Sequence, residues 1–213
     1  MGDVKNDSNV LPLDKNNVDK VNIFGRSSTD WVVSGTGSGQ VKSETGEDTS
    51  NMINFVKAMR NYGINVNQDL QNYYKLYQAP LGLGDILRNN SYDAFYVLSE
   101  PSISEYSSSL LNDAQKYSNT AFVIISRRGG ESDDPLKYQN KLNGKAKDES
   151  RTYLEISTEE EELLTYVGAN YDNVIVIINS TNAMELSFLD TIDGLDACLV
   201  VGPTGTKGAS LLY

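Results

Sequence analysis

Short runs of apolar, mostly β-branched or aromatic residues recur along the chain and alternate with stretches of helical periodicity. Two of these runs, Phe122–Ile125 and Val174–Ile178, contain no polar position. Such continuous runs are typical of strands that are buried on both faces of a parallel sheet. The strands predicted for the sheet are Val21–Phe24, Phe95–Leu98, Phe122–Ile125, Val174–Ile178 and Leu199–Val201.

The intervening stretches predict helices with one apolar face. The predicted helices are Asp48–Tyr62, Asp69–Gln78, Ser109–Lys116 and Ser157–Tyr171. In the last of these, Ser157 is a suitable N-cap, and the acidic residues that follow favour the positive end of the helix dipole. Strands that alternate with helices predict an α/β fold, here a three-layer α/β/α sandwich with a mainly parallel sheet.

Ligands of such folds bind beyond the carboxyl ends of the parallel strands. The loops expected to carry the function are therefore those that follow Arg26, Ser126, Asn179 and Val201.

Charge and hydropathy remove several classes of partner. The chain has 213 residues and a formal net charge of −11, which phosphate backbones repel, so no nucleic-acid partner is expected. No apolar run reaches the roughly 18–20 residues that span a bilayer, so no membrane partner is expected. The first residues lack the apolar segment of a secretory signal, which favours a soluble, cytoplasmic location.

The absence of histidine restricts the chemistry further. The chain has no histidine and a single cysteine, Cys198. Serine–histidine and cysteine–histidine catalysis, a disulfide framework and a zinc site are thereby excluded. No metal and no cofactor are expected, and any acid/base chemistry must rest on carboxylates, lysine or tyrosine.

Two glycine-rich segments lie in the predicted functional loops. Gly35, Gly37 and Gly39 stand at alternate positions and would let the backbone approach a ligand or a neighbouring domain closely. A mobile surface loop is the alternative. Gly202–Gly208 imitates a phosphate-binding loop, but Thr206 precedes the lysine where glycine is required, so a tight strand-to-helix turn is the better interpretation.

The third segment, Ser126–Asp134, directly follows a buried strand. Its two central glycines permit an irregular loop that would swing Glu131 into a cleft. The spacing of its acids lacks the pattern of a calcium-binding loop. A solvated charged loop is the alternative interpretation.

Together these segments resemble the α/β sandwich domain of glycoside hydrolase family 3, the β-glucosidase-like enzymes. The resemblance extends from about residue 4 to the end of the chain. The motifs that carry it read VKNDSNVLPL at Val4–Leu13, SGTGSG at Ser34–Gly39, ISRRGGE at Ile125–Glu131, YLEISTEEEELL at Tyr153–Leu164 and VIVIINSTNAMEL at Val174–Leu186. Ala183 and Val200 depart from the family's usual proline and tryptophan.

The resemblance implies a single domain over residues 1–213 from a retaining β-glycosidase, with Glu131 as the general acid/base. It implies that Arg127, Arg128 and the Gly35, Gly37 and Gly39 loop lie close to the sugar substrate. It also implies that the attacking aspartate lies on a TIM-like barrel of the same polypeptide, which this domain precedes as in one subgroup of the family. This domain alone would then be inactive.

Two other functions stay open at this level. The first is a non-catalytic module that binds carbohydrate or protein on the same fold, since a fold does not determine a function. The second is a nucleotide-binding α/β protein, which only Gly202–Gly208 suggests.

Overall fold

The computed structural model describes residues 2–7, 9–14, 16–35, 38, 53–76, 100–131, 135, 137–140 and 146–205. Within them, the strands are β1 (Gly2–Asn6), β2 (Lys20–Phe24), β3 (Asn65–Val66), β4 (Thr120–Arg127), β5 (Gln139–Asn140), β6 (Ala146–Asp148), β7 (Asn173–Ser180) and β8 (Ala197–Val201). Six of them form one sheet in the order β1-β8-β7-β4-β2-β3, and β5 and β6 pair as a separate antiparallel ribbon.

The sheet is parallel from β3 to β8, and only the edge strand β1 pairs antiparallel, with β8. This confirms the predicted mainly parallel sheet and four of its five predicted strands. The fifth, Phe95–Leu98, lies outside the described residues. Strand β1 was not expected, because the mixed sequence Gly2–Asn6 has no apolar run and is held at the edge by backbone pairing with β8.

The described helices are α1 (Phe55–Asn61), α2 (Gln68–Leu76), α3 (Ser108–Tyr117), α4 (Thr158–Asn170) and α5 (Phe188–Thr191). Those predicted at Asp69–Gln78, Ser109–Lys116 and Ser157–Tyr171 are confirmed to within two residues. Helix α1 begins later than the predicted Asp48, because Asn54 is extended and its side chain accepts a hydrogen bond from the Lys57 N–H. That bond is an N-cap, which fixes the helix start.

Alternate residues of the central strands face opposite sides of the sheet and define the three layers. Val123 and Ile125 point to one core, which packs against α2, α3, α4 and α5. Phe122 and Ile124 point to the other core, which packs against α1. The predicted three-layer α/β/α sandwich is therefore confirmed. No helix within the described residues is long and apolar enough to cross a bilayer.

Candidate active site

The carboxyl ends of four parallel strands meet at one edge of the sheet. Strands β4 and β7 are in register over their whole length, so that Arg127 lies opposite Ser180. Strands β2 and β8 flank this pair and run in the same direction. The loops that follow these strands therefore start side by side, as the sequence predicts.

Glu131 lies on the loop after β4, four residues beyond the strand, and is exposed. Its Oε2 accepts hydrogen bonds from both the hydroxyl and the backbone N–H of Ser38, the latter at 3.0 Å. These bonds, the hydroxyl's first, lower the pKa of Glu131 below its ordinary value, and slight burial opposes them only weakly. In this structure the pKa of Glu131 is therefore lowered, whereas a general acid needs a raised pKa, because the carboxylate is exposed and accepts two hydrogen bonds.

The loop of Glu131 approaches the loops after β2 and β7 closely at two glycines, Gly35 and Gly129. A Cβ on Gly35 would lie 2.8 Å from the carbonyl oxygen of Gly129. A Cβ on Gly129 would lie 2.1 Å from Oδ1 of Asn182, on the loop after β7. A side chain at position 35 would force a shift of backbone, whereas one at position 129 would displace the amide group of Asn182. Gly37 and Gly39, which were also expected here, lie outside the described residues.

Polar side chains fix the backbone that leads to Glu131. The hydroxyl of Tyr153 accepts a hydrogen bond from the Arg128 N–H at 2.9 Å and contacts the Arg128 carbonyl at 3.1 Å. Asn182 Nδ2 donates to the same carbonyl at 2.8 Å, and Thr181 Oγ1 donates to the carbonyl of Gly129 at 3.0 Å. Sequence reasoning did not select these three residues, although the polar Ser180–Asn182 directly after a buried strand was a usable signal.

Arg127, which the resemblance implies to lie close to the sugar substrate, points into the core of this chain, and its contact with substrate stays a prediction. Its side chain is completely buried and forms a bidentate ion pair with Glu160 of α4, at 2.8 and 2.6 Å. Its remaining donors reach the carbonyls of Tyr153 and Glu155, each at 2.7 Å, and that of Ser126. Residues alternate along β4, so that Arg127 follows Val123 and Ile125 to the face covered by α4. The residue therefore joins β4 to this helix.

Arg128 lies at the surface beside Glu131. Its guanidinium pairs with Asp30, on the loop after β2, at 2.6 Å, and its side chain is 23% exposed. Neither arginine head therefore neutralises Glu131 in this structure. A contact between Arg128 and substrate stays a prediction, as does one from Gly35.

Asn179, the penultimate residue of β7, joins the loops after β2 and β8. Its Oδ1 accepts a hydrogen bond from the Val32 N–H at 2.6 Å, and its Nδ2 donates to the carbonyls of Val32 and Val201 at 3.1 and 3.4 Å. Trp31 Nε1 also donates to Thr204 Oγ1 at 2.9 Å. The described start of the Gly202–Gly208 segment thus packs on the loop after β2, and its residues 206–208 lie outside the described residues.

A buried carboxyl group lies behind the same edge. Oε2 of Glu100 accepts a hydrogen bond from the Arg26 N–H at 2.6 Å, and Oε1 accepts one from the Tyr106 hydroxyl at 2.9 Å. Tyr106 in turn contacts the Tyr74 hydroxyl at 2.6 Å, and that hydroxyl accepts from the Gly25 N–H at 2.8 Å. Burial raises the pKa of Glu100 to about 8, and the bonds from Arg26 and Tyr106 oppose this rise. Glu100 and Tyr74 thus bind the backbone at the start of the loop after β2 from the core side.

Metal ligands do not cluster in the described part of the chain, where no group of three or more acidic, cysteine or histidine side chains is placed to hold an ion. Among the described residues of the loops after β2 and β4, the exposed carboxylates are Glu131, which is bonded to Ser38, and Asp30, which is paired with Arg128.

Two characterised β-glucosidases are similar in sequence to this chain. The chain is 29% identical over 206 residues to a β-glucosidase of Ruminococcus albus, covering 94% of this chain and 19% of that protein. It is 26% identical over 225 residues to β-glucosidase A of Butyrivibrio fibrisolvens, covering 96% of this chain and 24% of the relative. The chain thus spans about a fifth to a quarter of the length of these relatives.

Solved structures of β-glucosidases share the fold of this chain. The enzyme from Paenibacillus barengoltzii matches with a TM-score of 0.69 at 24% identity, over 97% of this chain and 20% of that one. β-Glucosidase 3B from Thermotoga neapolitana, solved in complex with glucose, matches with a TM-score of 0.68 at 19% identity, over 99% of this chain and 26% of that one. At these identities the match shows the fold alone.

The family assignment rests on the whole sequence. The profile described as the glycosyl hydrolase family 3 C-terminal domain matches residues 4–213. This range contains the five described parallel strands of the sheet, β2, β3, β4, β7 and β8, and the Glu131 loop at their carboxyl edge. By this match, the chain belongs to the glycosyl hydrolase family 3 C-terminal domain family.

Proposed function

We propose that Glu131 is the general acid/base of a retaining β-glycosidase of the β-glucosidase type, and that a barrel domain outside this chain supplies the attacking carboxylate. The observation that carries the proposal is the position of Glu131. It is an exposed carboxylate at the carboxyl edge of the sheet, on a loop packed between Gly35 and Asn182. The β-glucosidase relatives, four to five times longer than this chain, support the presence of a further domain.

The reaction requires two carboxyl groups about 5–5.5 Å apart. The carboxylate of the other domain attacks the anomeric carbon while the bond to the leaving oxygen breaks, and the proton of Glu131 moves to that oxygen. Water then attacks the same carbon, its proton moves to Glu131, and the first carboxylate leaves. Glu131 is thereby returned to its protonated form, so that protons balance over the cycle.

The lowered pKa of Glu131 in this chain fits a domain that lacks its partner. Docking of a second domain would remove water from Glu131, and a second carboxylate nearby would add a like charge. Both effects raise the pKa of a carboxyl group. Because Arg127 and Arg128 are committed to Glu160 and Asp30, neither opposes this rise.

The test is Glu131→Ala in the full-length enzyme. We expect hydrolysis of cellobiose, which has a poor leaving group, to fall by roughly 10²–10⁴-fold, since that is the usual contribution of a positioned general acid. Release of 2,4-dinitrophenol from its β-glucoside should fall much less in the glycosylation step, because this leaving group needs no proton. Azide should restore turnover, because it attacks the intermediate without a general base.

The matched control is Glu149→Ala, which removes an exposed carboxylate elsewhere on the same domain. This variant should hydrolyse both substrates at the wild-type rate. If Glu131→Ala retains wild-type hydrolysis of cellobiose, the acid/base assignment is wrong, and a non-catalytic binding role for this domain gains the support that it now lacks.

A further inference from the structure

The two hydrogen bonds from Ser38 to Glu131 converge on one carboxylate oxygen. Both the backbone N–H and the hydroxyl of Ser38 reach Oε2. Ser38 belongs to the loop after β2 and Glu131 to the loop after β4, so the contact joins two separate segments 93 residues apart. Their approach is fixed independently by the contact of Gly35 with Gly129.

An oxygen that accepts two hydrogen bonds cannot also carry a proton without losing one of them, because a protonated carboxyl oxygen is a poor acceptor. Oε2 can keep both bonds when the group is ionised and also when it is neutral, provided that the proton then lies on Oε1. The contact is therefore compatible with both halves of an acid/base cycle.

We propose that Ser38 is a positioning residue for Glu131, which holds Oε2 so that Oε1 is the oxygen that gives and takes the proton. This inference rests on the proposed function of Glu131. Through its hydroxyl, Ser38 then contributes to proton transfer by Glu131 and does not need to contact the sugar directly.

The hydrogen bonds from Ser38 shift the pKa of Glu131 in one direction. Hydrogen bonds to the ionised form favour that form, and those from Ser38 lower the pKa of Glu131. The other charged groups of the described residues on the three packed loops are Arg26, Asp30, Arg128 and Glu185. Arg128 pairs with Asp30, Arg26 donates to Thr29 Oγ1, and Glu185 accepts from the Ser187 N–H. Asp133 and Asp134 lie outside the described residues. Ser38 thus lowers the pKa of Glu131, and burial together with the second carboxylate of the proposed site must raise that pKa again.

The experiment compares pH profiles of kcat/KM for cellobiose in the full-length enzyme. The rate falls on the alkaline side as the general acid of the free enzyme loses its proton. In Ser38→Ala the ionised form loses one donor, so we expect this alkaline limb to move to higher pH. Ser38→Thr retains a hydroxyl and should restore the wild-type limb. Ser109→Ala, an exposed serine of α3, is the matched control and should not move it.

Two results would overturn the inference while leaving the proposed function intact. One is an alkaline limb in Ser38→Ala that coincides with the wild type. The other is an equal displacement in Ser38→Ala and Ser38→Thr, which would show that the hydroxyl is not responsible. The Glu131→Ala variant is measured in parallel: if it retains cellobiose hydrolysis, the proposed function itself fails, and the inference fails with it.

Discussion

At the scale of single residues, the carboxyl edge of the sheet contains two glutamates in opposite environments. Glu131 is exposed and its pKa is lowered by Ser38. Glu100 is buried, and its pKa is raised to about 8, first by loss of water and further by the charge of Glu160. The hydroxyls of Tyr106 and Tyr74 and the backbone of Arg26 and Gly25 complete its hydrogen-bond network. The environment, not the residue type, decides which carboxyl is available for chemistry.

The raised pKa of Glu100 predicts a pH-dependent stability. Between pH 4.5 and about 8 the folded chain keeps a proton that the unfolded chain loses, so this group makes stability fall as the pH rises through that interval. Glutamine resembles the protonated acid and does not titrate. We therefore expect Glu100→Gln to stabilise the chain relative to wild type at pH 8, with a smaller difference, or none, at pH 4.

Urea unfolding at several pH values measures this effect. Glu149→Gln, at an exposed position, is the control and should follow the wild-type pH dependence. A difference between Glu100→Gln and wild type that is the same at pH 4 and pH 8 would contradict the assignment.

At the scale of elements, helix α4 is fixed at its first turn by one side chain with two tasks. Oε2 of Glu160 accepts a hydrogen bond from the Ser157 N–H at 2.8 Å, while Ser157 Oγ accepts from the Glu160 N–H at 3.2 Å. This is a capping box, which satisfies two free helix donors. The same carboxylate neutralises buried Arg127 at the end of β4. Glu160 therefore both caps the start of α4 and pairs with the arginine at the end of β4.

Removal of the Glu160 charge should destabilise the chain far more than removal of the neighbouring Glu161 charge. Glu160→Gln leaves Arg127 buried and unpaired, for which about 3–5 kcal/mol of destabilisation is typical. Glu161→Gln on the same turn breaks an ion pair with Arg151 in which both side chains are partly exposed, and such pairs contribute about 0–1 kcal/mol. Denaturant unfolding of both variants checks the difference. Equal losses would show that the buried pair does not hold β4 to α4.

At the scale of the whole molecule, the proposed chemistry requires a second carboxyl group, which we expect another domain to supply. The causes of the lowered pKa of Glu131 are the two hydrogen bonds from Ser38, which slight burial opposes. Retaining hydrolysis needs a second carboxyl within about 5–5.5 Å. The relatives that share the fold are much longer than this chain.

We therefore expect the isolated chain to release no 4-nitrophenol from its β-glucoside above the level of its own Glu131→Ala variant. A discontinuous absorbance assay with long incubation provides the necessary sensitivity, and the full-length enzyme is the positive control. Turnover by the isolated chain that is abolished by changing one of its own carboxylates would show that both catalytic groups lie within it.

The sequence by itself determined the layered fold, because continuous apolar runs such as Val174–Ile178 must be covered on both faces. It also determined that Glu131 follows a central strand, since chain order and strand direction fix which end of the sheet a loop occupies. The start of α4 was predictable as well, because Ser157 and Glu160 are a local pair three residues apart.

Only the tertiary structure decided what each polar side chain does. Arg127 and Arg128 are adjacent in sequence, but alternation along β4 sends the first into the core to Glu160 and leaves the second at the surface with Asp30. The partners of Glu131 and Glu100, which are Ser38 and the backbone of Arg26, lie 93 and 74 residues away along the chain. These contacts depend on distances between segments, which periodicity along the chain does not specify. Together with burial they shift the pKa of each carboxyl group.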